Sequence, residues 1–360
     1  MADMELNDLR AAVAADIITE EQATRLRVLV ENRIGFRKFM QKEDEPFEFF
    51  SGFAEIFITV GLSILFTGIL GLLMISGEIA FVAFFGAGLA FALAFYFTLK
   101  RRMNLPSMWL ATVFATGIGI FLGVLLFDPL RIDETMLLVV SLLGFGAMLV
   151  WYRVFHLPFT MFLAGLYGIA VTYALASLIE PSAFGIARSW YQNPFDLNNA
   201  SIFSYATLVF GLVAFAVGMW FDTQDPYRIG RKSAAGFWLH LIAAPALVNT
   251  IALSLYNMGG TAGYLLTALA LALISLLALV VDRRSFLTAG ILYMAALLIS
   301  AFGSTSNEGW AIVLTLLVLG VFITVLGTWW GAIRAAIMRA LPVFPLKNRL
   351  PPYDTIMDTE

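Results

Sequence analysis

The chain contains no cysteine among its 360 residues and only two histidines. The first absence removes disulfides, thiolate catalysis, iron–sulfur ligation and cysteine-bound zinc, and leaves the redox compartment undetermined. The second leaves little for metal catalysis, which needs three or four converging His, Asp or Glu ligands. Charge is scarce as well. Only 13% of the residues are Asp, Glu, Lys or Arg, and the net charge of -3 is too small to suggest nucleic-acid binding. The sequence holds no nucleotide-binding loop, no HExxH and no GxSxG elbow. Neither an enzyme activity nor a cofactor or metal site is expected.

What the chain has instead is apolar length. Hydrophobic residues make up 60% of it and the mean hydropathy is +0.86, far above a soluble domain. A bilayer core of about 30 Å needs roughly 20 apolar residues in helix. Ten segments meet that requirement, near 53–75, 79–99, 108–127, 135–152, 159–179, 202–221, 237–256, 262–281, 286–302 and 310–330. The expected fold class is therefore all-α: a polytopic membrane bundle of about ten transmembrane helices, preceded by a small cytoplasmic helical hairpin. The first 50 residues lack the apolar core and cleavage site of a signal peptide, so the first span is expected to direct its own insertion.

Lysine and arginine orient the bundle. With ten spans, Arg131 and Arg188 fall on one side and the other twenty of the 22 basic residues on the opposite side. Cytoplasmic loops retain positive charge, which predicts both termini in the cytoplasm. Trp109, Trp151, Trp220, Trp238, Trp310, Trp329 and Trp330 fall within a few residues of predicted span ends, as headgroup-level anchors would. Trp190 lies in an outer loop.

Three regions follow: residues 1–50, a cytoplasmic hairpin with an acidic interfacial connector; 51–332, the ten-span bundle; and 333–360, a cytoplasmic tail. In the hairpin, Leu6, Leu9 and Val13 recur at helical spacing. After an interruption at Asp16 to Ile18, Thr19-Glu-Glu-Gln22 has the form of a capping box, with Ala23, Leu26 and Leu29 or Val30 continuing one apolar face. That face is expected to pack on itself, on the membrane domain or on another chain. The tail opens with a short helical run, GAIRAAIMRAL, and is then broken by Pro342, Pro345, Pro351 and Pro352, which suits an extended strap.

The run DLRAAVAADIITEEQATRLRVLVENR, followed by DEPFEFFSGFAEIFITVGLSIL and a series of short-looped spans, resembles an uncharacterised family of bacterial membrane proteins known by a domain-of-unknown-function label. The N-terminal run also looks like short helical hairpins that bacterial proteins use to oligomerise. The resemblance implies a bacterial inner-membrane protein and supplies no catalytic residue.

Four positions stand out as candidate functional residues. Glu55 lies just inside the first span, where a carboxylate can couple ions or snorkel to the interface. The stretch FWLHLIAAPALVNT holds His240, Pro245 and Asn249. Counted from Phe237, His240 lies about 5 Å into its span, and Asn249 about 13 Å further along and half a turn out of phase. The two are not expected to share a site. Pro245 withholds a donor from the Leu241 carbonyl and invites a kink, with Asn249 one turn on and on roughly the same face. Gly119 with Gly123, Ala164 with Gly168, and the pair Ala243–Ala244 are spaced for close helix packing. Hydroxyls such as Ser63, Thr67, Thr116, Tyr173, Ser204 and Ser254 can bond carbonyls within or between helices.

The hairpin, the proline-rich tail and the lack of mid-membrane charge favour a non-enzymatic accessory or scaffold protein that binds other membrane proteins or itself. The alternative is a carrier of a small or lipophilic solute, suggested by ten short-looped spans split evenly by the 180–200 connection. The expected partners are membrane lipids and a protein partner or second copy, with no nucleic acid.

Overall fold

A computed structural model describes residues 6–33, 52–126, 134–180, 194–228, 230–303 and 308–353, and every regular element among them is a helix. The hairpin is α1 (Leu6–Ala14) and α2 (Glu20–Arg33). The membrane helices are α3 (Phe53–Ser76), α4 (Ile79–Ala94, continued by a π-turn at Phe95–Lys100), α5 (Asn104–Leu126), α6 (Glu134–Phe155), α7 (Thr160–Ile179), α8 (Ile202–Asp222), α9 (Lys232–Asn257), α10 (Gly260–Val281), α11 (Ser285–Gly303) and α12 (Glu308–Thr328). The short helix α13 (Trp330–Ala340) follows. The chain forms two compact units, one comprising 1–45, 195–198 and 211–360, the other 46–194 and 199–210.

The fold is an all-α multi-pass membrane bundle, but the span count is lower than ten. Eight helices, α3 to α10, are long and apolar enough to cross a bilayer among the described residues, and a ninth span exists if a bent pair is counted as one. The last two predicted spans make the difference: within α11 the apolar run among the described residues is Ser285–Ile299, and Ile312–Thr328 is followed by a 76° bend into Trp330–Ala340. Beyond that bend α13 carries Arg334 and Arg339, charges that do not suit a continued span.

The 46–194 and 199–210 unit is built around aromatic packing. Trp151 is fully buried, with Phe114 and Phe155 ring centroids 4.7 and 4.6 Å away and Phe91 at 5.7 Å. Small residues bring the helices together around Tyr167, whose hydroxyl donates to the Ala115 carbonyl at 2.7 Å. A Cβ on Gly144 would lie 2.1 Å from the Tyr167 ring, and one on Gly119 would lie 2.7 Å from its hydroxyl. Gly144→Ala must displace that ring and break the bond to Ala115. The expected loss is about 1–3 kcal/mol, as for other overpacked sites, read as a lower apparent melting temperature in detergent while Gly146→Ala, with open space around it, stays near wild type.

The hairpin forms as its sequence predicts. Thr19 N–H donates to Gln22 Oε1 at 2.9 Å and Gln22 N–H to Thr19 Oγ1 at 3.2 Å, a reciprocal capping box. Leu9 and Ala23 are buried together, with Val13, Ile18, Leu26 and Tyr227 packed against them. Arg27 reaches the Arg228 carbonyl at 3.3 Å. Burial, then the neighbouring Arg231, push the Arg10 guanidinium below its ordinary pKa, with Asp225 opposing them. Part of the hairpin's apolar face is thus closed on itself and on Tyr227 of its own unit, while Leu29 stays exposed.

Among the tryptophans near predicted span ends, Trp220, Trp310 and Trp329 are more than half exposed. Trp151, Trp238 and Trp330 are buried, because protein partners rather than headgroups take up their rings. The acidic connector and Trp190 lie outside the described residues.

Candidate functional site: a buried centre of Asp222, His240 and Arg283

The unit that contains residues 211–360 holds a cluster of charge at one end of α8, α9 and α10. It forms because three chain segments end or turn there: α8 closes on Asp222, α9 opens at Lys232, and α10 ends at Val281. Asp225 organises the turn between α8 and α9. Its two carboxylate oxygens accept from Gly230 N–H at 3.1 Å and Ser233 N–H at 3.3 Å, satisfying amides at the start of α9.

That start shifts His240. Because α9 begins at Lys232 rather than Phe237, His240 stands eight residues inside the helix, about 12 Å along its axis at 1.5 Å per residue. Its side chain is fully buried. His240 Nε2 lies 3.0 Å from Asp222 Oδ2, an interhelical bond in which the ring nitrogen donates to the carboxylate. Arg283 completes the set. Its Nε donates to Asp222 Oδ2 at 3.1 Å and its Nη2 to Oδ1, a two-point grip on one carboxylate. The same Nη2 donates to the Ser233 carbonyl at 2.9 Å and to its hydroxyl at 3.1 Å.

Two glycines give the centre its room. A Cβ on Gly218 would lie 2.9 Å from the His240 ring, and one on Gly236 would lie 2.3 Å from Asp222 Oδ1. Phe215 and Phe286 set their rings edge-on to the imidazole at 5.4 and 5.8 Å between centroids. His240 Nδ1 is buried without a hydrogen-bond partner. No hydroxyl nucleophile is therefore in place for the pair to activate, and the arrangement is not that of an acyl-transfer triad.

A second charged knot adjoins the first in sequence. Asp282 caps α10 in the left-handed conformation at φ 62°. Its Oδ1 accepts from the Trp330 indole at 2.6 Å and its Oδ2 from Arg228 at 3.0 Å. Arg334 is buried beside it, 3.8 Å from Oδ1. Burial alone would raise the Asp282 pKa, but Arg228, Arg334, the Trp330 bond and Arg283 outweigh it and hold the carboxyl below its ordinary value. Arg334 also donates to the carbonyls of Leu279 at 3.1 Å, Pro352 at 2.9 Å and Pro351 at 2.6 Å. The tail is fastened to the end of α10 through this one side chain.

The four positions singled out in the sequence are not brought together. Glu55 is a buried structural cap, with its Oε2 accepting from the N–H groups of Asn104 and Leu105 at 3.1 and 3.0 Å at the start of α5. Pro245 is exposed, and α9 runs through it as one helix. Asn249 is half-buried. Only His240 enters a site. Sequence reasoning passed over Asp222 and Arg283 because each sits at a span end. The usable signal was that both lie at ends predicted to face the same side of the membrane, where the His240 helix begins.

The hydroxyls singled out in the sequence bond carbonyls mostly within their own helices, as expected. Ser63, Thr67 and Thr116 each donate to the carbonyl four residues back, and Ser254 does so at 2.6 Å. Tyr173 instead bonds Thr207 across helices at 2.7 Å. At the far end of α9, Asn257 donates to Asp196 at 2.7 Å and Asn198 to the Ser254 carbonyl at 2.7 Å. No group of three or more His, Asp or Glu residues that could hold a metal occurs among the described residues.

These features define a class, the all-α multi-pass membrane proteins, with an ionised centre buried where three helices meet. No family model, curated protein or solved structure matches the chain.

Proposed function

We propose that this protein is a non-enzymatic carrier of a small or lipophilic solute, seated in a bacterial inner membrane with both termini in the cytoplasm. The observation that carries the reading is the burial of His240 on Asp222 together with Arg283. Ionisable groups inside membrane helices are costly and persist where an ion or solute path uses them. A centre in which the Arg283 guanidinium and the His240 imidazole share one carboxylate changes its balance when the imidazole takes or loses a proton. His240 faces Asp222 from α8, Arg283 from the turn after α10, and two phenylalanine rings, so a proton added at Nδ1 sets a second cation against a shared carboxylate. Such a change biases one packing of α8, α9 and α10 over another, the physical content of coupling.

Of the features behind the accessory reading, the hairpin packs Leu9 and Ala23 against residues of its own unit and Arg334 holds the tail at Pro351 and Pro352, which leaves less of either extension for a partner.

The test is proton movement in proteoliposomes with pyranine trapped inside, challenged with a panel of amino acids, sugars, organic anions and lipophilic cations such as ethidium. At least one solute should change the internal pH several-fold faster than in empty liposomes, and His240→Gln should abolish that response while the protein remains monodisperse. If no solute does so and the protein purifies with a stoichiometric protein partner, the accessory role replaces this one.

A further inference from the structure

The unit of 46–194 and 199–210 contains a cavity of about 330 Å³. We infer that it is a binding site for one acyl chain of a bilayer phospholipid. The inference stands on a different unit from the buried centre and does not depend on the carrier reading.

The cavity arises from residue size. A Cβ on Gly117 in α5 would meet the Ala83 carbonyl of α4 at 2.9 Å, so glycine lets these two helices close directly on each other. Toward α3, the facing positions of α4 are small too. Gly86 leaves room that the Leu70 side chain only partly fills, with a Cβ there 3.2 Å from it. What remains is lined by Leu70 and Met74 of α3, Val82 and Gly86 of α4, and Thr112 and Thr116 of α5.

The lining chooses the occupant. Both threonine hydroxyls donate to carbonyls of their own helix, Thr112 to Met108 and Thr116 to Thr112, each at 2.9 Å. Neither keeps an unused donor for the cavity. Water needs two to four polar partners to occupy such a space. The groove is open, with Met74, Ile79 and Ile120 exposed beside Thr112 and Thr116, all within spans. The medium at that opening is hydrocarbon, so the molecule that enters is a lipid chain rather than a polar solute.

The experiment uses the full-length protein in nanodiscs of phosphatidylcholine carrying a mid-chain diazirine on one acyl chain. After photolysis, adducts are mapped by peptide mass spectrometry. Labelling of 70–87 and 112–120 should exceed labelling of the exposed α12 positions Leu316 and Val321 several-fold. Thr116→Phe, which plugs the cavity, should cut the cavity adducts several-fold and leave those on α12 unchanged. Thr116→Val, which keeps the shape and removes a hydroxyl, should label as wild type does. Even labelling of wild-type α3, α4, α5 and α12 overturns the inference without any variant. So does loss of labelling in Thr116→Val, which would mean a polar ligand, or displacement by free fatty acid but not by unlabelled phospholipid.

Discussion

Replacing Asp222 with alanine should destabilise the protein by about 3–5 kcal/mol, the range for removing one partner of a buried ion pair. The reason is what stays behind. Arg283 is 3% and His240 0% exposed on the side chain, so neither can turn to water once the carboxylate is gone. Asp222→Asn should cost less, because its amide oxygen still accepts one of the three bonds. Replacing the whole set with apolar residues of similar volume, Asp222→Leu with His240→Leu and Arg283→Met, should recover most of the loss, since no uncompensated charge remains. Thermal unfolding in detergent reads these differences. The triple variant also separates stability from coupling: it should fold near wild type and yet show no solute-driven proton movement. A triple variant as active as wild type would confine the centre to a structural role.

How much of this was legible beforehand differs by element. The hairpin with its capping box, and helices at every predicted apolar segment, followed from local pattern, because spacing and capping act within a few residues. The bend after α12 falls at Trp329, where the predicted last span ends, whereas the contact that Trp330 makes there with Asp282 spans 48 positions. The centre was hidden for a similar reason. Asp222, His240 and Arg283 are separated by 18 and 61 positions, and each looks ordinary by itself. Attention fell instead on Pro245 and Asn249, which carry a local signal. A proline in a helix and an amide in an apolar run are visible in one line of sequence, whereas an ion pair across helices needs the turn geometry that Asp225 imposes.

Asp282 offers the sharpest pH signature. Its carboxyl is held below the ordinary carboxylate pKa by Arg228 and Arg334 against the opposing effect of burial. For a group depressed in the folded state, the linked stability is fully present above the unfolded value, near 3.9, and is lost as pH falls through the lower folded value. Asp282→Asn removes the charge at every pH. At pH 7 it should cost about 3 kcal/mol, toward the low end for a broken buried pair because the amide oxygen can still accept from the Trp330 indole. The difference between wild type and variant should therefore be constant from pH 8 to pH 5 and close below about pH 4, as the wild-type carboxyl takes up its proton. Apparent melting temperatures of both proteins across that range measure it, with Asp222 common to the two and so cancelling in the comparison. A gap that stays the same down to pH 3 would falsify the assignment of Asp282 as the charged partner of Arg228 and Arg334. The same titration bears on the tail, because Arg334 holds the Pro351 and Pro352 carbonyls with the guanidinium that Asp282 helps to place. Hydrogen exchange at the Leu350 and Tyr353 amides, which flank the two prolines, should be faster in Asp282→Asn than in wild type at pH 7.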